Sequence, residues 1–237
     1  MPLADYLTGF YVQPALDYRQ TFRPGQLYFA PTFYLPAHPD VLYEVTEDPT
    51  EERLRFEIRR MGPRSFRDIH RPLATIGLAS SEELVAIKAK KRLVVLLSQE
   101  NFVAEALGGR VALAAKIHER SYVCLPLYGV HRGAGERGFP PEVVVRIQAL
   151  MYNQFFYFPP YPPGADQPIV YEGIGRLDRL QVFHRDTLAA DPVRLVLRPD
   201  FLEVLHEWVR FHMTGRIDHN IAELRRELTR EIYGAPP

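Results

Sequence analysis

The sequence predicts a mainly β fold, a small barrel with helices at its periphery, and three observations carry that prediction. The most apolar runs, Leu93 to Leu97 and Tyr122 to Leu127, are too short for helices and are bounded by polar residues or glycine, as buried strands are. Glycine and proline punctuate the chain between such runs, at Arg23-Pro24-Gly25 and again at Glu172-Gly173-Ile174-Gly175, where the glycines suit a bend in a curling sheet. Helical periodicity is confined to a few segments with recognisable starts.

In chain order, Gln26 to Phe29 follows a turn and reads as a short strand. Arg53 to Arg60 alternates apolar and charged residues, as a half-exposed strand does. Ser80 to Lys88 opens with serine and places glutamates in its first turn, which predicts a helix. The two apolar runs follow as central strands. Pro140-Pro141 then introduces a helix over EVVVRIQALMYNQ, because proline suits a first helical turn. Ile169 to Tyr171 leads through the glycines into a strand from Arg176 to Phe183. Pro199-Asp200 introduces a helix closed at Thr214-Gly215, whose Phe201, Leu205, Trp208 and Val209 recur at three- and four-residue spacing and form one stripe to pack on the barrel. The last segment, Asp218 to Tyr233, carries Ile221, Leu224, Leu228 and Ile232 as a seam among arginines and glutamates, and reads as an appended docking or dimer helix.

Lysine plus arginine equals aspartate plus glutamate at 29 each, so any polyanion contact must come from local clustering. The lone cysteine, Cys124, permits no intrachain disulfide and no cysteine metal cage. No apolar run approaches the roughly 18 residues that span a bilayer, and the N-terminal MPLADYLTGFY lacks a basic segment followed by an apolar one. The expectation is a soluble, cytoplasmic protein without a membrane partner. Local clustering does occur: Lys88, Lys90, Lys91 and Arg92 lead directly into the Leu93 to Leu97 run, which places cations at the mouth of a fixed strand, where an anion such as phosphate can be met.

The order of these landmarks resembles the MazF/PemK family of toxin endoribonucleases, whose SH3-like barrel is shared with the gyrase poison CcdB. Arg23-Pro24-Gly25-Gln26-Leu27-Tyr28 is similar to the family's PxRGDI-like opening strand, and Lys90 to Asn101 (KKRLVVLLSQEN) to its K-x-RPVVVLSND-like strand and turn. Tyr122 to Gly129 is similar to the VVVxPLTS-like strand, Glu172 to Asp178 (EGIGRLD) to the DQIRxID stretch, and Pro199 to Gly215 to the C-terminal helix. The resemblance implies one elaborated SH3-like barrel domain, with insertions at about 41–87, 103–119 and 130–168 and a helical extension over 216–237. It further implies a homodimer, RNA as substrate and an antitoxin protein as partner.

Metal-free RNA cleavage needs a base for the 2′-hydroxyl proton, an acid for the leaving 5′ oxygen and a cation for the charge growing on phosphorus. The resemblance puts Arg92 on the family's catalytic arginine, and a planar, permanently charged guanidinium suits phosphate oxygens. Glu172 falls on the family's acidic residue. Tyr128 stands where the family has a small hydroxyl residue, and can serve as a hydrogen-bond donor or as a wall. The family's second arginine falls on Gly175, with Arg176 one position later; a one-residue step along a strand changes the face a side chain occupies. Lys88, Lys90, Lys91, Arg132 and Arg176 are the candidate RNA-backbone contacts. His131, just past the Tyr122 to Leu127 strand, reads either as a general base or as an exposed loop residue. The histidines show no strong metal-ligand spacing, so no metal and no cofactor is expected. The FFYFPPYPP run reads as packing, with base stacking as the alternative. Beside the nuclease stands a second reading, the same barrel without catalysis, binding protein or nucleic acid.

Overall fold

The computed structural model describes residues 9–14, 18–19, 21–34, 40–44, 56–61, 85–98, 121–131 and 138–234. The strands, in chain order, are β1 (Tyr11–Val12), β2 (Gln26–Phe33), β3 (Asp40–Glu44), β4 (Phe56–Arg60), β5 (Val85–Ala86), β6 (Ala89–Leu96), β7 (Ser121–Gly129), β8 (Phe155–Phe158), β9 (Gly173–Arg176), β10 (Gln181–His184) and β11 (Pro192–Leu197). The helices are α1 (Pro141–Gln148), α2 (Arg185–Ala189), α3 (Pro199–Thr214) and α4 (His219–Tyr233). The fold is mainly β, with antiparallel sheets and a few helices. The sequence predicts one elaborated domain; by contacts the chain gathers as two compact units, residues 31–90 and residues 1–30 with 91–237.

The smaller unit holds a three-stranded sheet in the order β4-β3-β5. Here the helix expected over Ser80 to Lys88 is corrected. Val85 and Ala86 form a strand paired with Val41 and Asp40, because a β-branched residue beside the buried Val41 gains more from sheet packing than from an isolated helical turn. Residues 80–84 lie outside the described residues.

The larger unit is built on a sheet with strand order β1-β11-β2-β6-β7-β9-β8, and β10 also pairs with β7. The end strands β1 and β8 form no ladder with each other among the described residues. Yet the Tyr11 hydroxyl donates to the Pro159 carbonyl at 3.0 Å, and the Phe10 and Phe158 rings lie 5.7 Å apart. The sheet of this unit therefore curls until its two edges meet through side chains. β8 falls within the segment expected as the 130–168 insertion, and here it is an edge strand of this sheet.

One face of the sheet carries the main core. Leu27, Val95, Leu125, Leu127, Phe156 and Phe158 pack there against α3 and α4. α3 follows its sequence signals: Pro199 opens it, and Gly215 closes it at φ 70°, a left-handed position that glycine adopts without a Cβ penalty. Phe201, Leu205 and Trp208 are its buried stripe, each worth about 2–3 kcal/mol of burial. α4 is N-capped by Asp218, whose side chain accepts from the Asn220 N–H at 2.9 Å. Its seam is not left over for docking, as the sequence suggested. Ile221 and Leu228 are buried in this chain's own core, and Leu224 and Ile232 pack against it.

The opposite face carries two smaller clusters. One holds Tyr28, Val94, Leu96, Tyr122, Cys124 and Phe183; the other holds Val130, Tyr157 and Ile174 beneath Val144 and Ile147 of α1. Tyr122 and Cys124 of β7 belong to the first cluster and Val130, just beyond β7, to the second. Tyr128 stands between them. The strand expected from Arg176 to Phe183 is broken by a 3₁₀ turn at Leu177–Arg179, where the Leu177 N–H donates to the Gln154 carbonyl at 2.9 Å. That turn carries the chain from β9, paired with Leu127 to Gly129, to β10, paired with Ser121 to Cys124. The gap spans Pro126, which has no N–H to offer a ladder.

Candidate functional site

Register decides which side chains meet between the two clusters. Tyr128 pairs with Ile174, and Ile174 with Tyr157. Val94 pairs with Pro126, and two residues further out the same antiparallel register sets Arg92 opposite Tyr128. Directly opposed residues share a face, so Arg92, Tyr128, Ile174 and Tyr157 form one row across β6, β7, β9 and β8. Period two along β9 adds Glu172 and Arg176 to that face, while Gly173 and Gly175 turn to the main core.

This settles the step between Gly175 and Arg176. A Cβ on Gly175 would sit 2.7 Å from Leu125 Cδ2 and 2.8 Å from Phe158 Cε2, so only glycine fits without displacing the core. Arg176 is the residue on the face of Glu172 and Tyr128, and regular β9 pairing on both sides means that no bulge is needed to put it there.

On this face cations and aromatic rings alternate strand by strand. The Arg92 guanidinium lies over the Tyr128 ring at 4.4 Å. The Arg176 guanidinium lies 5.8 Å from the same ring and 5.9 Å from that of Phe155. Distances under about 6 Å over a ring face give electrostatic attraction of about 0.5–1 kcal/mol each at partly exposed sites. Asp178 holds Arg176 in a fork, Nε to Oδ1 at 3.0 Å and Nη2 to Oδ2 at 2.5 Å. Burial works against the Asp178 charge, but the Arg176 hydrogen bond and charge prevail and hold its carboxyl below the usual range.

Glu172 sits just ahead of β9 with its side chain 23% exposed. Its Oε1 accepts the Tyr157 hydroxyl at 2.7 Å, and its Oε2 lies 2.8 Å from His131 Nε2. Burial first, and then the Glu172 carboxylate, push the Tyr157 phenol well above its ordinary range, so it stays a neutral donor.

The remaining predicted residues fall elsewhere. Of the cations expected at the mouth of a strand, Lys90, Lys91 and Arg92 lie on it, because β6 begins at Ala89, and Lys88 precedes it. Lys91 therefore faces away from Arg92; it pairs with Asp191 Oδ2 and lies over the Phe29 ring at 5.6 Å. Lys88 and Lys90 belong to the smaller unit, where Lys88 Nζ lies over the Tyr34 ring at 5.5 Å and the Lys90 carbonyl accepts from Thr32. Arg132 lies outside the described residues. Among the described residues no three His, Cys, Asp or Glu side chains gather as metal ligands. Sequence reasoning missed Phe155, Tyr157 and Asp178. The first two lie in the aromatic run read as packing, whose four consecutive aromatic residues show no alternation from which to tell the two faces apart.

Compared with protein-family models, with curated proteins and with solved structures, the chain finds no match in any of the three.

Proposed function

We propose that this chain binds single-stranded RNA on the Arg92, Tyr128, Arg176 and Phe155 face and cleaves it without a metal, as a MazF/PemK-like barrel. The observation that carries the reading is the cation–aromatic ladder across four strands. The Arg92 guanidinium lies over the Tyr128 ring at 4.4 Å, which holds it on this face, and a planar, charged donor group of this kind suits phosphate oxygens. Aromatic and guanidinium faces are also what unpaired bases stack upon. Arg92 is the phosphate clamp, Tyr128 its platform, and proton transfer falls to the group built around Glu172. The family resemblance adds a homodimer and an antitoxin protein as partners. A second reading, RNA binding without cleavage, draws on Asp178, which already engages the donors of Arg176.

The test is cleavage of a mixed-sequence single-stranded RNA in the presence of a chelator, wild type against Arg92→Ala. The expected result is cleavage by the wild type and a loss of about 10²–10³ in rate for the variant, as for removal of a group that stabilises developing charge. Equal rates would sink the role of Arg92. Binding without cleavage by the wild type would leave the second reading.

A further inference from the structure

Resting on the cleavage reading, we propose that His131 is the residue that takes the proton from the RNA 2′-hydroxyl, and that Glu172 and Tyr157 position it rather than act on the substrate. The Glu172 carboxylate has one oxygen on the Tyr157 hydroxyl and the other on the His131 ring. An ionised carboxylate only accepts, so both partners donate to it. The Tyr157 O–H fixes Oε1, and the bond to Oε2 assigns the imidazole proton to Nε2. The His131 Nδ1 lone pair is then the basic atom of the group.

The three residues run from core to solvent. Tyr157 is 7% exposed, packs with Ile174 and Ile147, and is further bonded by the Gln148 side chain of α1. The His131 side chain is 84% exposed. An exposed histidine is ordinarily free to sample rotamers, whereas this ring is tied through a carboxylate to a packed tyrosine. Base, orienting carboxylate and anchor are what positioned proton transfer requires. The charged group bonded to the ring is Glu172, ahead of β9, and behind it stands Tyr157 on β8. Tyr157 shares the row of Arg92 and Tyr128, and the Val130 N–H donates to the Glu172 carbonyl at 3.0 Å, so Glu172 lies one row, about 7 Å, further along the strands and two strands, about 10 Å, across from β6.

The step balances as follows. The 2′-hydroxyl proton passes to His131 Nδ1 as the 2′ oxygen bonds to phosphorus. The bond from phosphorus to O5′ breaks, and its electron pair leaves with O5′, which takes a proton from water. The hydroxide so formed recovers the proton from the imidazolium, leaving a 2′,3′-cyclic phosphate and a free 5′-hydroxyl.

The experiment measures kcat and KM for chelator-resistant RNA cleavage by the full chain for wild type, His131→Gln, Glu172→Gln and Tyr157→Phe, with thermal melting as the check on folding. His131→Gln is expected to keep the fold, since the ring is exposed, and to lose about 100-fold or more in rate. Glu172→Gln is expected to lose about tenfold in kcat with KM unchanged, because the base is misaligned while the substrate is still held. Tyr157→Phe should lower kcat by less, again with KM unchanged. Cleavage by His131→Gln at the wild-type rate overturns the assignment and leaves the nuclease reading standing. A wild-type kcat in Glu172→Gln, or a loss that appears only in KM, overturns the positioning role. Absence of cleavage by the wild type overturns both the reading and the assignment.

Discussion

At Tyr128 a ring stands where the family resemblance has a small hydroxyl residue, and the ring does what a hydroxyl cannot. It supports Arg92 at 4.4 Å and lies within 5.8 Å of Arg176, so two guanidinium groups are held on one face. Arg92 was legible in the sequence because an arginine ahead of an apolar strand is a pattern. The partner residue Tyr157 was not, because an aromatic residue in an aromatic run looks the same whether its hydroxyl is idle or bonded to a carboxylate. Cys124, four positions before Tyr128 along β7, is a packing residue. It is fully buried, and burial pushes its thiol up to about 12. A thiol reagent at pH 8 is therefore expected to leave the native protein unlabelled and to label one site in denaturant. Labelling of the native protein at the rate of a free thiol would contradict the packing of β7 against Tyr28 and Phe183.

Among the elements, β9 is the most constrained, since its two faces do different work. Glu172, Ile174 and Arg176 serve the candidate face, and Gly173 and Gly175 serve the core. Gly175→Ala is expected to destabilise the protein by about 1–3 kcal/mol, because the added methyl meets both Leu125 and the Phe158 ring. Urea denaturation reads this directly, and a variant as stable as wild type would mean that β9 does not lie so close to Phe158. Strands β6 and β7 and helix α3 were legible because period and caps agreed: an uninterrupted apolar run for the strands, and Pro199 with Gly215 for the helix. The Ser80 to Lys88 segment misled because its serine and glutamates mimic a helix start, while the pairing partner that makes Val85 a strand residue lies more than forty positions away at Val41. Long-range pairing of that kind leaves little local trace.

For the whole molecule, charge is balanced at 29 against 29, so affinity for a polyanion has to come from one face and not from the net field. In the larger unit, helices α3 and α4 pack on the main core, including the seam of α4, and among the described residues the opposite face carries the two smaller clusters with the ladder between them. No described helix is long and apolar enough to cross a membrane. The ladder between the two clusters is the local concentration of cations and rings on which the proposed RNA binding rests. The most direct measurement is the affinity of the full chain for a fluorescent single-stranded RNA, read by anisotropy over a range of salt concentrations, for wild type and Arg92→Ala. The expected result is measurable binding by the wild type, an affinity at least about fivefold weaker in the variant, and a log K against log salt slope shallower by about 0.7, the loss of one phosphate contact to a single strand. No binding by the wild type, or identical affinity and slope in the two proteins, would contradict the assignment of this face to RNA.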